Sequence, residues 1–190
     1  MNTLKLVKEK KALLIGHFLL SSGLHSDKYI QCAKVLQYPN IAEQLAKALI
    51  KKILSTYQLI NLSTVSCVIS PAIGGIVIGQ EVARQLNCRA IFCERENGVM
   101  KLRRGFEIKK GENCLVVEDV ITTGGSTNEV MEVVKKAGGK IAGMATIIDR
   151  SQLKNFAISL LKLKIKTYKP ETCPLCKKGI PLVKPGSKSV

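Results

Sequence analysis

The chain has 190 residues, a hydrophobic fraction of 46% and a formal net charge of +16 at pH 7. This length predicts one domain, or one domain with a small appendage, and the apolar content excludes a disordered polypeptide. The charge indicates anionic partners, either nucleic acid or phosphorylated small molecules, and nine lysines fall in residues 151–190. Aromatic residues make up only 4% and tryptophan is absent, which argues against the stacking platforms that bind single strands.

The N-terminal part of the sequence predicts two helices separated by irregular structure and one strand. Apolar spacing indicates a helix near residues 3–16, and the Gly and Ser residues of 16–27 predict a loop or hairpin. Residues 29–36 are predicted as a short strand. Pro39 then opens a long helix, because its missing N–H is harmless in a first helical turn.

Strands and helices alternate through the rest of the sequence. A Gly-rich segment from Gly74 leads into a helix that ends near residue 86, and a second helix is predicted at 128–137. The polar, basic segment 94–110 is predicted as a long loop or ribbon, and the chain from residue 169 as an irregular tail. Buried strands are predicted at 65–69, 89–93, 115–117, 141–148 and 158–167. This alternation predicts a parallel sheet with helices on its faces, in which ligands bind beyond the carboxyl ends of the strands.

Seven cysteines, several of them inside apolar runs, predict buried free thiols in a reducing cytoplasm. No apolar run approaches the roughly 18 residues of a membrane span. The apolar run 12–20 imitates a secretory signal, but His17 interrupts it and an amphipathic helix is preferred.

Cys173 and Cys176 form a single C-x-x-C, which is half of a zinc site. A symmetric dimer could supply the other half, although plain thiols or a labile disulfide are favoured.

The segment 114–127, with the sequence CLVVEDVITTGGST, carries the most chemical information. An apolar strand ends in Glu118 and Asp119, whose carboxylates can accept hydrogen bonds from vicinal ribose hydroxyls or help to hold Mg²⁺. Gly124 and Gly125 allow a tight turn in which backbone N–H groups converge on a phosphate, at the positive end of the next helix. The pattern is neither a P-loop nor G-x-G-x-x-G. The alternative is a purely structural strand–turn–helix junction.

This segment resembles the 5-phosphoribosyl 1-diphosphate (PRPP) signature of the phosphoribosyltransferases. Residues 22–29 (SGLHSDKY), residues 70–75 (SPAIGG) and the Asp149-Arg150 pair are similar to segments of the orotate phosphoribosyltransferases. Residues 179–181 and 184–187 of the tail look like the ending of one branch of that family. The resemblance covers roughly residues 10–188. It implies a single domain over 1–190, with a parallel-sheet α/β core, helices on both faces, a small hood from about residues 1–38 and an irregular basic tail at 169–190.

The resemblance also implies an activity. Ribose 5-phosphate would pass from PRPP to N1 of orotate, giving orotidine 5'-phosphate and diphosphate in de novo UMP biosynthesis, with Mg²⁺ as cofactor and a cytoplasmic homodimer as the working form. Glu118 and Asp119 would be the catalytic residues, and Mg²⁺ is assigned to no residue beyond Asp119. Orotate would contact Thr122, Arg150 and Tyr29. The PRPP site would consist of Glu118, Asp119, Val120, Ile121, Thr122, Thr123, Gly124, Gly125, Ser126 and Arg95.

The sequence departs from the family pattern in its basic loop. Residues 94–105 lack the R-K-x-x-K-x-H-G pattern, and Ser21 and Gly74 stand where many members have lysine. Four cations could meet the diphosphate, and the choice among them stays open: Arg95, Lys101, Arg103 and Arg104. Two other functions remain as alternatives. One is a phosphoribosyltransferase for another base, and the other is a non-catalytic, PRPP-sensing regulator that binds nucleic acid.

Overall fold

A computed structural model gives the fold and describes residues 2–20, 22–56, 60–151, 153–154 and 156–185. Two compact units are present. The larger spans Leu36–Leu163, and the smaller joins Asn2–Val35 to the chain from Lys164 onward. Ser21 and residues 186–188, which belong to segments compared with the family above, lie outside the described residues.

The chain begins with a helix and a β-hairpin, and after two further helices strands and helices largely alternate. The elements are α1 (Thr3–Glu9), β1 (Leu13–Leu19), β2 (His25–Ile30), α2 (Ala33–Leu36), α3 (Pro39–Ser55), β3 (Cys67–Pro71), α4 (Gly74–Leu86), β4 (Arg89–Glu96), β5 (Val99–Leu102), β6 (Asn113–Ile121), α5 (Gly125–Lys136), β7 (Lys140–Asp149), β8 (Ile158–Lys162), β9 (Thr167–Tyr168) and α6 (Pro174–Lys177). Short 3₁₀ turns occur at Leu62–Thr64 and Pro170–Thr172.

A six-stranded sheet of order β5-β4-β3-β6-β7-β8 forms the centre of the larger unit. All neighbouring strands are parallel except β4 and β5, which form an antiparallel hairpin. Successive strand residues face opposite sides, so Ile69 and Val116 join a buried cluster with Val130 and Val134 of α5. Val68 and Ser70 face α4, where Gly79 lets the helix approach closely. Helices therefore cover both faces, which confirms the predicted fold class.

Most predicted elements of the larger unit are confirmed. The long helix begins at Pro39, the next helix runs Gly74–Leu86, and the basic segment 94–110 includes the end of β4, the turn and β5 of the β4–β5 hairpin. The helix predicted from residue 128 begins at Gly125, because the Asn128 N–H already bonds the Gly124 carbonyl at 2.8 Å. The strand predicted over 158–167 was wrong as one element, since β8 and β9 belong to different sheets.

The smaller unit contains a three-stranded sheet of order β1-β2-β9. The helix predicted for residues 3–16 was wrong beyond Glu9: Lys11 has a φ of 52°, and Leu13–Leu19 pairs as a strand with β2. The strand predicted for 29–36 ends at Ile30, and the chain then forms the helical turn α2. The tail from Lys169 is partly ordered, with a 3₁₀ turn and α6. Among the described residues no helix has the length and hydropathy to cross a membrane.

Candidate active site

The carboxyl ends of β6 and β7 bring two predicted segments together. Ile121 pairs with Asp149 in the parallel ladder, and the Arg150 N–H donates to the Ile121 carbonyl at 2.8 Å. The chain leaves β6 at Thr122 and leaves β7 at Arg150, so the Gly/Thr turn and the arginine exit the sheet side by side. This is the edge at which parallel α/β sheets bind ligands.

The two adjacent acids lie within β6 and contact different helices. The Thr127 hydroxyl, buried in the first turn of α5, donates a hydrogen bond to the Glu118 carboxylate. The Asp119 carboxylate lies against the first residue of α4, since a Cβ built on Gly74 would be 2.6 Å from its Oδ1. The Thr146 hydroxyl of β7 donates to the Asp119 carbonyl at 3.1 Å. Both carboxylates are therefore held in place by the fold.

Burial raises the pKa of the Asp119 carboxyl. Hydrogen bonds from the backbone N–H groups of Asp119 and Val120 favour the charged form and offset part of this rise. A carboxylate with a shifted pKa at the ligand-binding edge of a sheet is typical of a functional group. Partial burial keeps some water away from the carboxylate, which strengthens its interaction with a positive centre.

Gly124 shapes the turn between β6 and α5. Its φ of 80° lies in the left-handed region, and a Cβ at this position would be 2.6 Å from Cζ of Phe156. Gly124 is also the N-cap of α5 and provides no side-chain hydrogen bond to the helix. The Gly125 N–H donates to the Thr123 hydroxyl at 3.4 Å, and an anion at the start of the helix can accept from the N–H groups that follow. Thr122, Thr123 and Gly125 are exposed, which leaves the turn open to a ligand.

The cations predicted to meet the diphosphate all pair with glutamates. Arg95 forms an ion pair with Glu129 of α5 and donates to the Gly98 carbonyl at 2.7 Å. The other contacts join the basic residues to the acids of β4: Lys101 to Glu96 at 2.6 Å, Arg103 to Glu96 at 3.2 Å and Arg104 to Glu94 at 3.0 Å. Exposed pairs of this kind contribute little to stability because water screens them, so an incoming diphosphate can replace them.

The two remaining predicted orotate contacts lie in different units. Next to Arg150, the buried Asp149 carboxylate accepts from the N–H of Ser151 at 2.8 Å and from its hydroxyl at 2.7 Å, which fixes the turn after β7. Tyr29 belongs to β2 of the smaller unit, where its ring packs against Phe18 at a centroid distance of 5.9 Å. Its assignment to orotate stays a prediction.

Sequence reasoning missed the residues that support the acids and the turn. Thr127 and Gly74 were seen only as parts of motifs, and Phe156 was not considered. A Ser or Thr in the first turn of a helix that follows an acidic strand end is a signal that could have identified Thr127. The contacts of Gly74 and Phe156 join segments distant in sequence, and no local pattern indicates them.

Comparison with known proteins assigns the family. Residues 33–160 match the phosphoribosyl transferase domain. The orotate phosphoribosyltransferase of Caldanaerobacter subterraneus is 54% identical over 191 residues, covering 98% of this chain and 97% of that protein. The enzyme of the same name from Caldicellulosiruptor saccharolyticus is 53% identical, with coverages of 98% and 96%. The crystal structure of orotate phosphoribosyltransferase from Aeropyrum pernix superposes with a TM-score of 0.69 at 26% identity, covering 86% of this chain and 94% of that one. The chain therefore belongs to the phosphoribosyltransferase family and, within it, to the orotate phosphoribosyltransferases.

Proposed function

We propose that the chain, as an orotate phosphoribosyltransferase, carries out its reaction at the edge formed by β6 and β7. Ribose 5-phosphate passes from PRPP to N1 of orotate, and the products are orotidine 5'-phosphate and diphosphate, a step of de novo UMP biosynthesis. One observation carries the proposal: the Gly/Thr turn and Arg150 leave adjacent strands side by side. This arrangement offers a phosphate site and a carboxylate site next to each other.

The turn after β6 is proposed to hold the ribose 5-phosphate. Successive N–H groups from Thr122 to Ser126 and the positive end of α5 suit the phosphate. Glu118 and Asp119 accept hydrogen bonds from the ribose hydroxyls, and the Thr127 hydroxyl keeps the Glu118 carboxylate oriented.

Charge stabilisation is the proposed catalytic effect. Positive charge develops on the ribose as its bond to diphosphate breaks, while the bond to N1 of orotate forms. The Asp119 carboxylate is partly buried and held in place, so it stabilises this charge more strongly than it would in water. N1 of orotate is itself the nucleophile, so the reaction requires no nucleophilic side chain, and the N1 proton leaves to water or to the released diphosphate as the new bond forms.

The donor set at this edge fits Mg²⁺, because it presents carboxylate oxygens, which hard cations prefer. Asp119 is the residue proposed to help hold the ion. Bound Mg²⁺ would neutralise charge on the leaving diphosphate. Among the four basic residues of the hairpin segment, Arg95 is the one whose ion pair reaches α5, so we favour it as the first diphosphate contact.

A cytoplasmic homodimer is the proposed working form. None of the seven cysteines forms a disulfide, which fits a reducing compartment. The dimer rests on the family resemblance alone, in which the basic loop of one protomer reaches the site of its partner.

Replacing Arg150 tests the choice of base. Arg150→Ala is expected to raise the KM for orotate about 10- to 100-fold, the value of one lost bidentate carboxylate contact, and to leave the KM for PRPP within about twofold. Arg150→Lys keeps the positive charge but not the planar guanidinium, so its KM for orotate should lie between those of the wild type and Arg150→Ala. Steady-state kinetics with each substrate varied in turn measures both constants.

Lys154→Ala is the matched control, because it removes an exposed positive charge four residues further along the chain. It should leave both constants unchanged. Equal increases in the two KM values for Arg150→Ala would contradict the orotate assignment and favour a different base.

A further inference from the structure

Four metal-binding side chains converge inside the smaller unit, and the mechanism above uses none of them. They are His17, His25, Cys173 and Cys176, whose ligand atoms all lie within 4.8 Å of one another. His17, His25 and Cys173 are buried, while Cys176 is exposed. Two histidines and two cysteines are a donor set that zinc prefers in proteins.

The fold brings the four residues together from two ends of the chain. His17 and His25 lie on the antiparallel strands β1 and β2. Cys173 directly precedes α6 and Cys176 lies within it, so the C-x-x-C places both thiols on one turn. The Ile180 N–H then bonds the Leu175 carbonyl at 3.1 Å, which turns the chain back after α6. The result is a short knuckle beside a hairpin, an arrangement typical of structural zinc sites.

Three of the six ligand-atom distances match those of a tetrahedral ion, a fourth is shorter, and the other two are at most 4.8 Å. Zn–S bonds of about 2.3 Å and Zn–N bonds of about 2.0–2.1 Å place the ligand atoms of a tetrahedron roughly 3.3–3.8 Å apart. Nε2 of His17 lies 3.5 Å from Sγ of Cys173 and 3.7 Å from Sγ of Cys176. Sγ of Cys176 lies 3.3 Å from Nδ1 of His25. The two ring nitrogens are closest, at 2.9 Å, and need to separate by only a few tenths of an ångström.

A hydrogen bond outside the cluster orients His17 as a ligand. Its Nδ1 donates to the Ile180 carbonyl at 2.8 Å, and a carbonyl can only accept. Nδ1 therefore carries a proton, which leaves Nε2, the nitrogen that faces the two sulfurs and His25, as the one available to a metal. Metal-bound histidines have this arrangement, in which a carbonyl fixes the tautomer of the ligating ring.

We propose that His17, His25, Cys173 and Cys176 bind one structural Zn²⁺ within each chain. Two thiolates and two neutral imidazoles balance the charge of the ion, so the occupied site is neutral and suits a largely buried position. Four protein ligands complete the tetrahedron, which leaves no position for a substrate. The second half of the site comes from the histidines of the same chain, so no second C-x-x-C from a partner is needed.

The ion would join the N-terminal hairpin to the C-terminal knuckle. The smaller unit has roughly 60 residues from two separate segments, a size at which an apolar core alone gives limited stability. A metal that bridges these segments contributes its binding free energy directly to folding of the unit. The proposal does not depend on the reaction assigned to the larger unit, and failure of one would leave the other standing.

Metal analysis of the full-length protein tests the site. Protein purified without chelator is expected to contain about one zinc per chain by elemental mass spectrometry. Cys176→Ala and His25→Ala should each lose most of it. Cys88→Ser is the matched control, since Cys88 is a free cysteine of the larger unit, and it should keep the full zinc content.

Cobalt titration of the chelator-treated wild-type protein gives a second test that does not depend on how the variants fold. One equivalent of Co²⁺ should produce the visible bands of tetrahedral cobalt and a thiolate charge-transfer band, and Zn²⁺ should displace them. Half an equivalent per chain would overturn the proposal in favour of a site shared between chains. No bound zinc together with no cobalt signal, or a Cys173–Cys176 disulfide in the purified protein, would also overturn it.

Discussion

Asp119→Asn is expected to lower kcat/KM about 100- to 1,000-fold, the usual effect of removing one group positioned to stabilise transition-state charge. The side chain keeps its shape and loses its negative charge, which the ribose needs as its bond to diphosphate breaks. Steady-state turnover of orotate measures the loss. Gly74→Ala should also reduce turnover, because a Cβ at position 74 would be 2.6 Å from Oδ1 of Asp119 and must displace that carboxylate.

The Asp119→Asn variant should be at least as stable as the wild type at neutral pH. Burial raises the pKa of Asp119 in the folded protein, so the folded state disfavours the charged form. The stability that Asp119 contributes therefore falls as the pH rises from the ordinary pKa of aspartate through the raised one. Asparagine does not titrate. The difference in unfolding free energy between Asp119→Asn and the wild type should therefore become smaller in acid, where Asp119 is protonated and no longer destabilises the folded state. Denaturant unfolding without Mg²⁺, repeated across pH, measures the difference. Near-normal turnover of a folded Asp119→Asn protein would contradict the catalytic role.

Gly124→Ala is expected to damage both the fold and the PRPP site. Alanine is unfavourable at a φ of 80°, and its Cβ would be 2.6 Å from the Phe156 ring. Together these effects predict a loss of about 2–4 kcal/mol in the free energy of unfolding. The turn must move to relieve the contact, which withdraws its N–H groups from the phosphate. We expect the KM for PRPP to rise at least about tenfold, the effect of losing one net hydrogen bond to a charged group.

Two further variants separate the causes of the Gly124→Ala effect. Gly111 has a φ of 79° with no atom within 4 Å of a built Cβ, so Gly111→Ala reports the backbone strain alone. It should destabilise by about 1–2 kcal/mol and leave both KM values unchanged. Combining Gly124→Ala with Phe156→Ala removes the clash, and the double variant should lose less stability than the sum of the single ones. Additive losses would show that the ring does not restrict the turn.

The parts of the fold that could be predicted are those whose signals are local. The fourteen residues CLVVEDVITTGGST predict a buried strand that ends in two acids, then a tight turn and the start of a helix. The structure contains these elements in that order. The predicted start of this helix is three residues too late because Gly124 is its N-cap and lacks the polar side chain that usually marks a helix start.

The N-terminal region could not be predicted because its apolar run fits two periodicities. Residues 13–19 (LLIGHFL) have apolar residues at helical spacing, yet pairing with β2 satisfies their backbone groups as a strand. Residues that pair with this hairpin decide that the segment forms a strand and not a helix. One of them is Val183, which is distant in sequence and forms a β-bridge with Phe18. His17 illustrates the same limit, because it interrupts an apolar run and its proximity to Cys173 exists only after folding.

The most direct test of the central claim is the loss of orotate absorbance when the purified wild-type protein is mixed with orotate, PRPP and Mg²⁺. We expect absorbance to fall with time as orotidine 5'-phosphate forms, with one diphosphate released for each orotate consumed. Uracil and adenine offered in place of orotate should give no comparable diphosphate release. A folded protein that consumes no orotate under these conditions, or that releases diphosphate faster with another base, would contradict the account.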